Sequence, residues 1–162
     1  MHMDEAHWQR DARRVGKVFA CFANQVRHGL GRWEGRGPFV VRADDDLLQV
    51  RPGPDMPLLS LRPHLVTGPD GVECFIHCSE TGTPEHPQRG PVAVYRYGIS
   101  GQVRRHPGDD CGYLGVLSDS YVAVEVVRTL IAEAQARFSR QPHAARLSLA
   151  HRASPATREP GP

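Results

Sequence analysis

Apolar residues near the start of the chain recur at helical spacing. They are Trp8, Ala12, Val15, Phe19, Phe22 and Val26. Their spacings of 4, 3, 4, 3 and 4 residues place them on one stripe of an α-helix. Asp4 can cap the free amides at the start of such a helix, and Gly29 is a suitable residue for its end. The pattern predicts a long amphipathic helix from about Asp4 to Gly29.

From Pro38 onward the apolar positions follow the shorter periodicity of strands. The candidate strands are residues 39–43, 47–51, 58–61, 65–67, 72–78, 92–97 and 102–106. Pro57 and Pro63 make the segment 58–61 an edge strand or an irregular one. The turn residues at 68–71, Gly-Pro-Asp-Gly, give the clearest hairpin signal. Because 58–61 is short and flanked by prolines, we expect five or six antiparallel strands from these seven segments.

A second apolar stripe at helical spacing follows the strands. It consists of Ala123, Val127, Leu130, Ile131, Ala134 and Phe138. Ser118 or Asp119 can cap this second helix. The order helix, strands, helix predicts an α+β fold in which two long helices flank the antiparallel sheet. We expect residues 1–139 to form a single α+β domain.

The last part of the chain, residues 140–162, is rich in arginine, proline and alanine and has no periodicity. Such a composition offers little apolar area to bury, so we expect a disordered tail.

The composition narrows the class of protein. The 162 residues contain no run of about 18 apolar residues, and the first ten lack the apolar stretch of a signal peptide. We therefore expect a cytoplasmic protein without membrane association. Lys17 is the single lysine among 20 basic residues, which is typical of a GC-rich bacterial genome, so arginine abundance alone does not indicate phosphate recognition.

Charge is distributed unevenly along the chain. Residues 1–36 carry seven bases and four acids, residues 37–139 carry nine and 13, and residues 140–162 carry four and one. Two basic ends therefore flank an acidic middle. A strong nucleic-acid binder usually has a basic excess over a whole domain, so this distribution is only a modest signal.

Three neighbouring residues, Cys74, His77 and Cys78, are candidate metal ligands. If they lie on one strand, the two cysteines are about 13 Å apart and His77 points to the opposite face. A buried, unreactive Cys74 is the alternative interpretation.

Cys111 is the candidate nucleophile, with His106 as its possible partner. Asp109 and Asp110 beside it would raise the pKa of the thiol, which opposes activation. His64 is expected in a turn, and His106 at the boundary between the strand 102–106 and the turn that follows it.

Basic residues that can contact nucleic acid fall into two groups. The first helix carries Arg10, Arg13, Arg14 and Lys17, and two predicted strands carry Arg96, Arg104 and Arg105. On these strands, alternation places Tyr95 and Tyr97 toward the core and Arg96 toward solvent. The alternative is that all these bases are ordinary solvated residues.

We expect a small, non-catalytic bacterial binding protein: a regulator, chaperone or accessory subunit. No cofactor motif is present. The alternatives are a nucleic-acid-binding protein that uses the basic first helix and the tail, or an enzyme or metal protein that uses the cysteine and histidine candidates. We also expect a homodimer, because the wide apolar arc of the first helix, or an exposed sheet edge, can pair with a second copy. The sequence does not identify the protein or small molecule that the chain binds.

Overall fold

The computed structural model describes residues 4–30, 37–81, 92–106 and 112–140. Two helices and seven strands occur in these residues. In chain order they are α1 (Glu5–Leu30), β1 (Phe39–Ala43), β2 (Leu48–Arg51), β3 (Leu58–Gly68), β4 (Gly71–Thr81), β5 (Ala93–Tyr97), β6 (Gln102–His106), β7 (Gly115–Val116) and α2 (Ser120–Ser139). The strands form one antiparallel meander in which each strand pairs with the next along the chain. The predicted α+β fold and its order of elements are confirmed.

Capping carboxylates begin both helices. Asp4 accepts a hydrogen bond from the amide of Ala6 at 3.4 Å. Asp119 is the N-cap of α2 and accepts from the amides of Tyr121 at 2.9 Å and Val122 at 3.3 Å. These bonds satisfy amides that have no partner inside the helix, which explains why the helices begin at these positions.

Both helices pack against the same face of the sheet. Phe19 and Phe22 of α1 and Val127 of α2 are completely buried in one core with Ile76 of β4 and Tyr95 of β5. The Tyr97 hydroxyl donates a hydrogen bond of 2.6 Å to the carbonyl of Val15 in α1. The core therefore lies between the two helices and one sheet face, and neither of the two described helices lies on the other face.

The number of strands corrects the expectation of five or six. The segments on either side of Pro63 are one strand, β3, which pairs with β4 from Leu58 to Gly68. Because β2 pairs only with Leu59–Leu61, the part of β3 from Pro63 onward has a neighbour on one side alone, where proline is tolerated. The seventh strand, Gly115–Val116, is too short to show any periodicity and forms by pairing with β6.

Two further expectations concern the ends of the chain. Within the described residues, neither helix is long and apolar enough to cross a membrane. Apart from Arg140, the residues of the predicted disordered tail (140–162) lie outside the described part of the chain.

Candidate functional site

The sheet face opposite the helices carries two rows of basic and aromatic residues. Cross-strand pairing aligns His64, Phe75, Arg96 and Arg104 in the first row. The second row is Arg62, His77, Val94 and His106. Residues paired in this way point to the same side of a sheet. We call the surface formed by Arg62, His64, Phe75, His77, Arg96, Arg104 and His106 the cationic face.

Ring contacts connect the two rows. The rings of His64 and His77 have centroids 4.4 Å apart, and those of Phe75 and His106 lie 5.2 Å apart at an interplanar angle of 89°. Arg104 places its guanidinium 5.8 Å from the centroid of the Tyr113 ring. Such edge-to-face and cation–π geometries hold the rings in defined orientations. The cationic face therefore combines rings that contact one another with guanidinium groups.

Positive charge predominates on this surface. The described strands contain two acidic residues, Glu73 and Glu80. Glu80 lies on the helix side, where its carboxylate accepts a hydrogen bond of 3.1 Å from Arg137. Glu73 alone lies with the cationic face, 4.0 Å from the Nε of Arg96. Neither of these two carboxylates pairs with Arg62 or Arg104, so both guanidinium groups can contact an anion.

His77 has a lowered pKa. Burial disfavours its charged form most, and the neighbouring His64 adds repulsion between two imidazolium groups. His77 is therefore mainly neutral at pH 7, so the arginines carry the permanent charge of the face.

Cys74 and Cys78 point to the side of β4 opposite His77. Both thiols are completely buried in the core. Burial raises the pKa of Cys74, and it raises the pKa of Cys78 to about 12. Without a thiolate form at neutral pH, neither cysteine is an activated nucleophile. Among the residues that the structure describes, no group of three or more His, Cys, Asp or Glu side chains is placed to hold a metal ion.

The structure separates the predicted basic residues into three locations. Arg96 and Arg104 lie on the cationic face. Arg105 points to the helix side, where it donates two hydrogen bonds to the carboxylate of Glu133 in α2. This bond raises the pKa of Arg105 and lowers that of Glu133, so the guanidinium is already occupied. Arg10, Arg13, Arg14 and Lys17 are exposed on α1.

His106 lies at the end of β6, and its predicted partner Cys111 lies outside the described residues. The expectation that His64 lies in a turn is wrong, because β3 runs through Pro63. His106 is the last residue of β6, which has the bounds of the predicted strand 102–106. Sequence reasoning also missed Arg62 and Phe75 as site residues. The hairpin turn at 68–71 was the available signal, since it sets the pairing of His64 with Phe75 and of Arg62 with His77.

A shallow cavity of about 500 Å³ lies along α2 on the helix side of the molecule. It is lined by Thr129, Ala132, Glu133, Ala136, Arg137 and Arg140. Glu133 and Arg137 are already paired with Arg105 and Glu80. A ligand at this position would have to compete with those ion pairs, so the cationic face is the better candidate site.

Comparisons with protein-family models, curated proteins and solved structures found no match for this chain.

Proposed function

We propose that this chain is a non-catalytic binding protein that holds single-stranded nucleic acid on the cationic face. The observation that carries the proposal is the presence of arginines, histidines and Phe75 together on one sheet surface that neither described helix covers. Arginines neutralise phosphates, while flat rings and guanidinium planes stack on bases. The surface therefore offers both kinds of contact that a nucleic acid strand makes.

The geometry favours unpaired bases over a duplex. In a duplex the faces of the bases are covered by their neighbours, so a ring at a protein surface has nothing to stack on. In a single strand the bases can turn outward and stack on aromatic, histidine or arginine side chains. Phe75 lies between His64 and Arg96 in its row, so a base stacked on it is within reach of a guanidinium.

The proposal includes the role expected from the sequence, that of a regulator, chaperone or accessory subunit in a bacterial cytoplasm. A catalytic or metal-binding role has less support. Cys74 and Cys78 are buried as protonated thiols on the wrong side of the sheet for a site with His77.

The test is the affinity of the full chain for a fluorescein-labelled oligothymidylate and for the same length of oligouridylate, measured by fluorescence anisotropy. Phe75→Ala should weaken binding about 5- to 150-fold, the equivalent of the 1–3 kcal/mol that stacking of one base contributes. If three phosphates are neutralised, affinity should fall about 20-fold between 50 and 200 mM salt.

Arg104→Gln and Arg128→Gln form a matched pair of charge removals. Arg104 lies on the cationic face, whereas Arg128 is exposed on α2. Arg104→Gln should weaken binding and reduce its salt dependence, and Arg128→Gln should leave both unchanged. Equal effects of the two substitutions, or tighter binding of a duplex than of either single strand, would contradict the proposal.

A further inference from the structure

A second cationic surface lies on the other side of the molecule, along α1. Arg10, Arg13, Arg14 and Lys17 are all exposed, and none of them makes a hydrogen bond or ion pair with the part of the chain that the structure describes. At 100° of turn per residue these four side chains occupy one arc directly opposite the buried stripe. The acidic residues Glu5 and Asp11 fall on the flanks of the buried stripe instead. We call the four residues the α1 basic stripe.

The two cationic surfaces face in opposite directions. α1 packs its apolar stripe on the helix side of the sheet, so the α1 basic stripe points away from the sheet. The cationic face points away from the helices on the other side. The distance between the two surfaces is about 15–20 Å, because it includes both the spacing from the sheet to the helix and the radius of the helix. A nucleic acid segment lying on one surface therefore leaves the other free.

The chemistry of the α1 basic stripe fits phosphates and not bases. It presents four charged groups on long side chains and no aromatic ring among them. The four residues span about 10 Å of helix axis. A short array of positive charge without a stacking surface binds the phosphate backbone with little regard for sequence.

We propose that the chain binds a second segment of nucleic acid by its phosphates along the α1 basic stripe and so bridges two strands. This inference rests on the proposed function of the cationic face. The four basic side chains of the stripe have no ionic partner among the described residues. Their charge complements that of a phosphate backbone, which selects this occupant.

The experiment uses two separate oligothymidylates and the full chain. One carries biotin and is held on streptavidin beads, and the other carries fluorescein. The full chain with Val116→Lys, which places a charge on the exposed β7 edge and so prevents two chains from pairing there, should retain the fluorescent strand on the beads. In this background Arg13→Gln/Arg14→Gln should reduce that retention at least tenfold while changing the anisotropy affinity for one strand less than twofold.

Arg27→Gln/Arg128→Gln is the matched control, because it removes two exposed arginines outside the stripe. In the same Val116→Lys background it should retain the fluorescent strand as the chain with an unchanged α1 does. Circular dichroism establishes that each variant is folded.

Three outcomes would overturn the inference. Binding of one strand without retention of the second shows that only the cationic face binds nucleic acid. Retention that persists in Arg13→Gln/Arg14→Gln shows that the α1 basic stripe does not form the bridge. Loss of binding to phosphatidylserine vesicles in that variant, with bridging intact, assigns the stripe to a lipid surface. Failure of the proposed function is distinct, since no strand would then bind at the cationic face and Phe75→Ala would have no effect.

Discussion

Tyr97 connects the sheet to α1 through one buried hydroxyl. The side chain is 1% exposed, and its hydroxyl donates to the carbonyl of Val15. Burial raises the pKa of Tyr97, so the hydroxyl keeps its proton as a donor at all moderate pH values. A buried polar group that has a partner stabilises the fold, whereas the same group without one is costly.

Tyr97→Phe removes this hydrogen bond without changing the shape of the ring. The free energy of unfolding should fall by about 1 kcal/mol, measured by urea denaturation. Tyr121→Phe is the matched control, because Tyr121 is 76% exposed in α2. Removing its hydroxyl should leave the free energy of unfolding unchanged. Identical unfolding curves for wild type and Tyr97→Phe would show that the hydroxyl contributes nothing to stability.

The two glycines of α1 have opposite surroundings, although both lie in the same helix. A Cβ at Gly16 would meet no other atom within 4 Å. A Cβ at Gly29 would overlap the Cγ2 of Val124 in α2. Gly29 thus allows the end of α1 to approach α2 closely, whereas Gly16 only adds backbone freedom that the helix must lose on folding.

The same substitution should therefore have opposite effects at the two positions. Gly16→Ala should raise the free energy of unfolding by about 0.5–1 kcal/mol, because alanine loses less entropy in a helix. Gly29→Ala should lower it by about 1–3 kcal/mol, because the helices must move apart. Urea denaturation of both variants tests this, and a change of the same sign at both positions would refute the packing argument.

The molecule leaves apolar residues exposed at one edge of the sheet. Around β7 these are Tyr113, Leu114, Val116 and Tyr121, each at least 41% exposed. The apolar arc of α1, by contrast, is used within the chain, since Phe19 and Phe22 are completely buried. The homodimer expected from the sequence remains a prediction, and the structure favours the β7 edge over α1 as its location.

Light scattering measures the mass that decides the question. The wild-type chain should have twice the mass of 17.9 kDa at micromolar concentration. Val116→Lys should return it to 17.9 kDa with an unchanged circular dichroism spectrum. Val41→Lys is the control, because Val41 is 47% exposed on β1 at the opposite edge and should leave the dimer intact. A wild-type mass near 17.9 kDa would exclude the homodimer.

The amino-acid pattern by itself determined both helices, the hairpin between β3 and β4, and the sides to which Tyr95, Tyr97 and Arg96 point. These features depend on residues close in sequence: the 3.6-residue and two-residue periodicities, capping carboxylates and turn glycines. Each such signal lies within a single element, so no distant part of the chain is needed to interpret it.

The tertiary structure alone decided the course of β3 through Pro63, the addition of β7, and the assembly of the cationic face. Arg62 and His64 come from β3, Phe75 and His77 from β4, and the remaining residues from β5 and β6. Their meeting depends on cross-strand register, which aligns Arg62 and His106 in one row across four strands although they are 44 positions apart in the sequence. The net charge of residues 37–139 is negative because it sums residues from both sides of the sheet and from the loops. It therefore gave no sign that one side of the sheet is positively charged. Pleating sends alternate residues to opposite faces, and only the folded sheet shows which charges share a side.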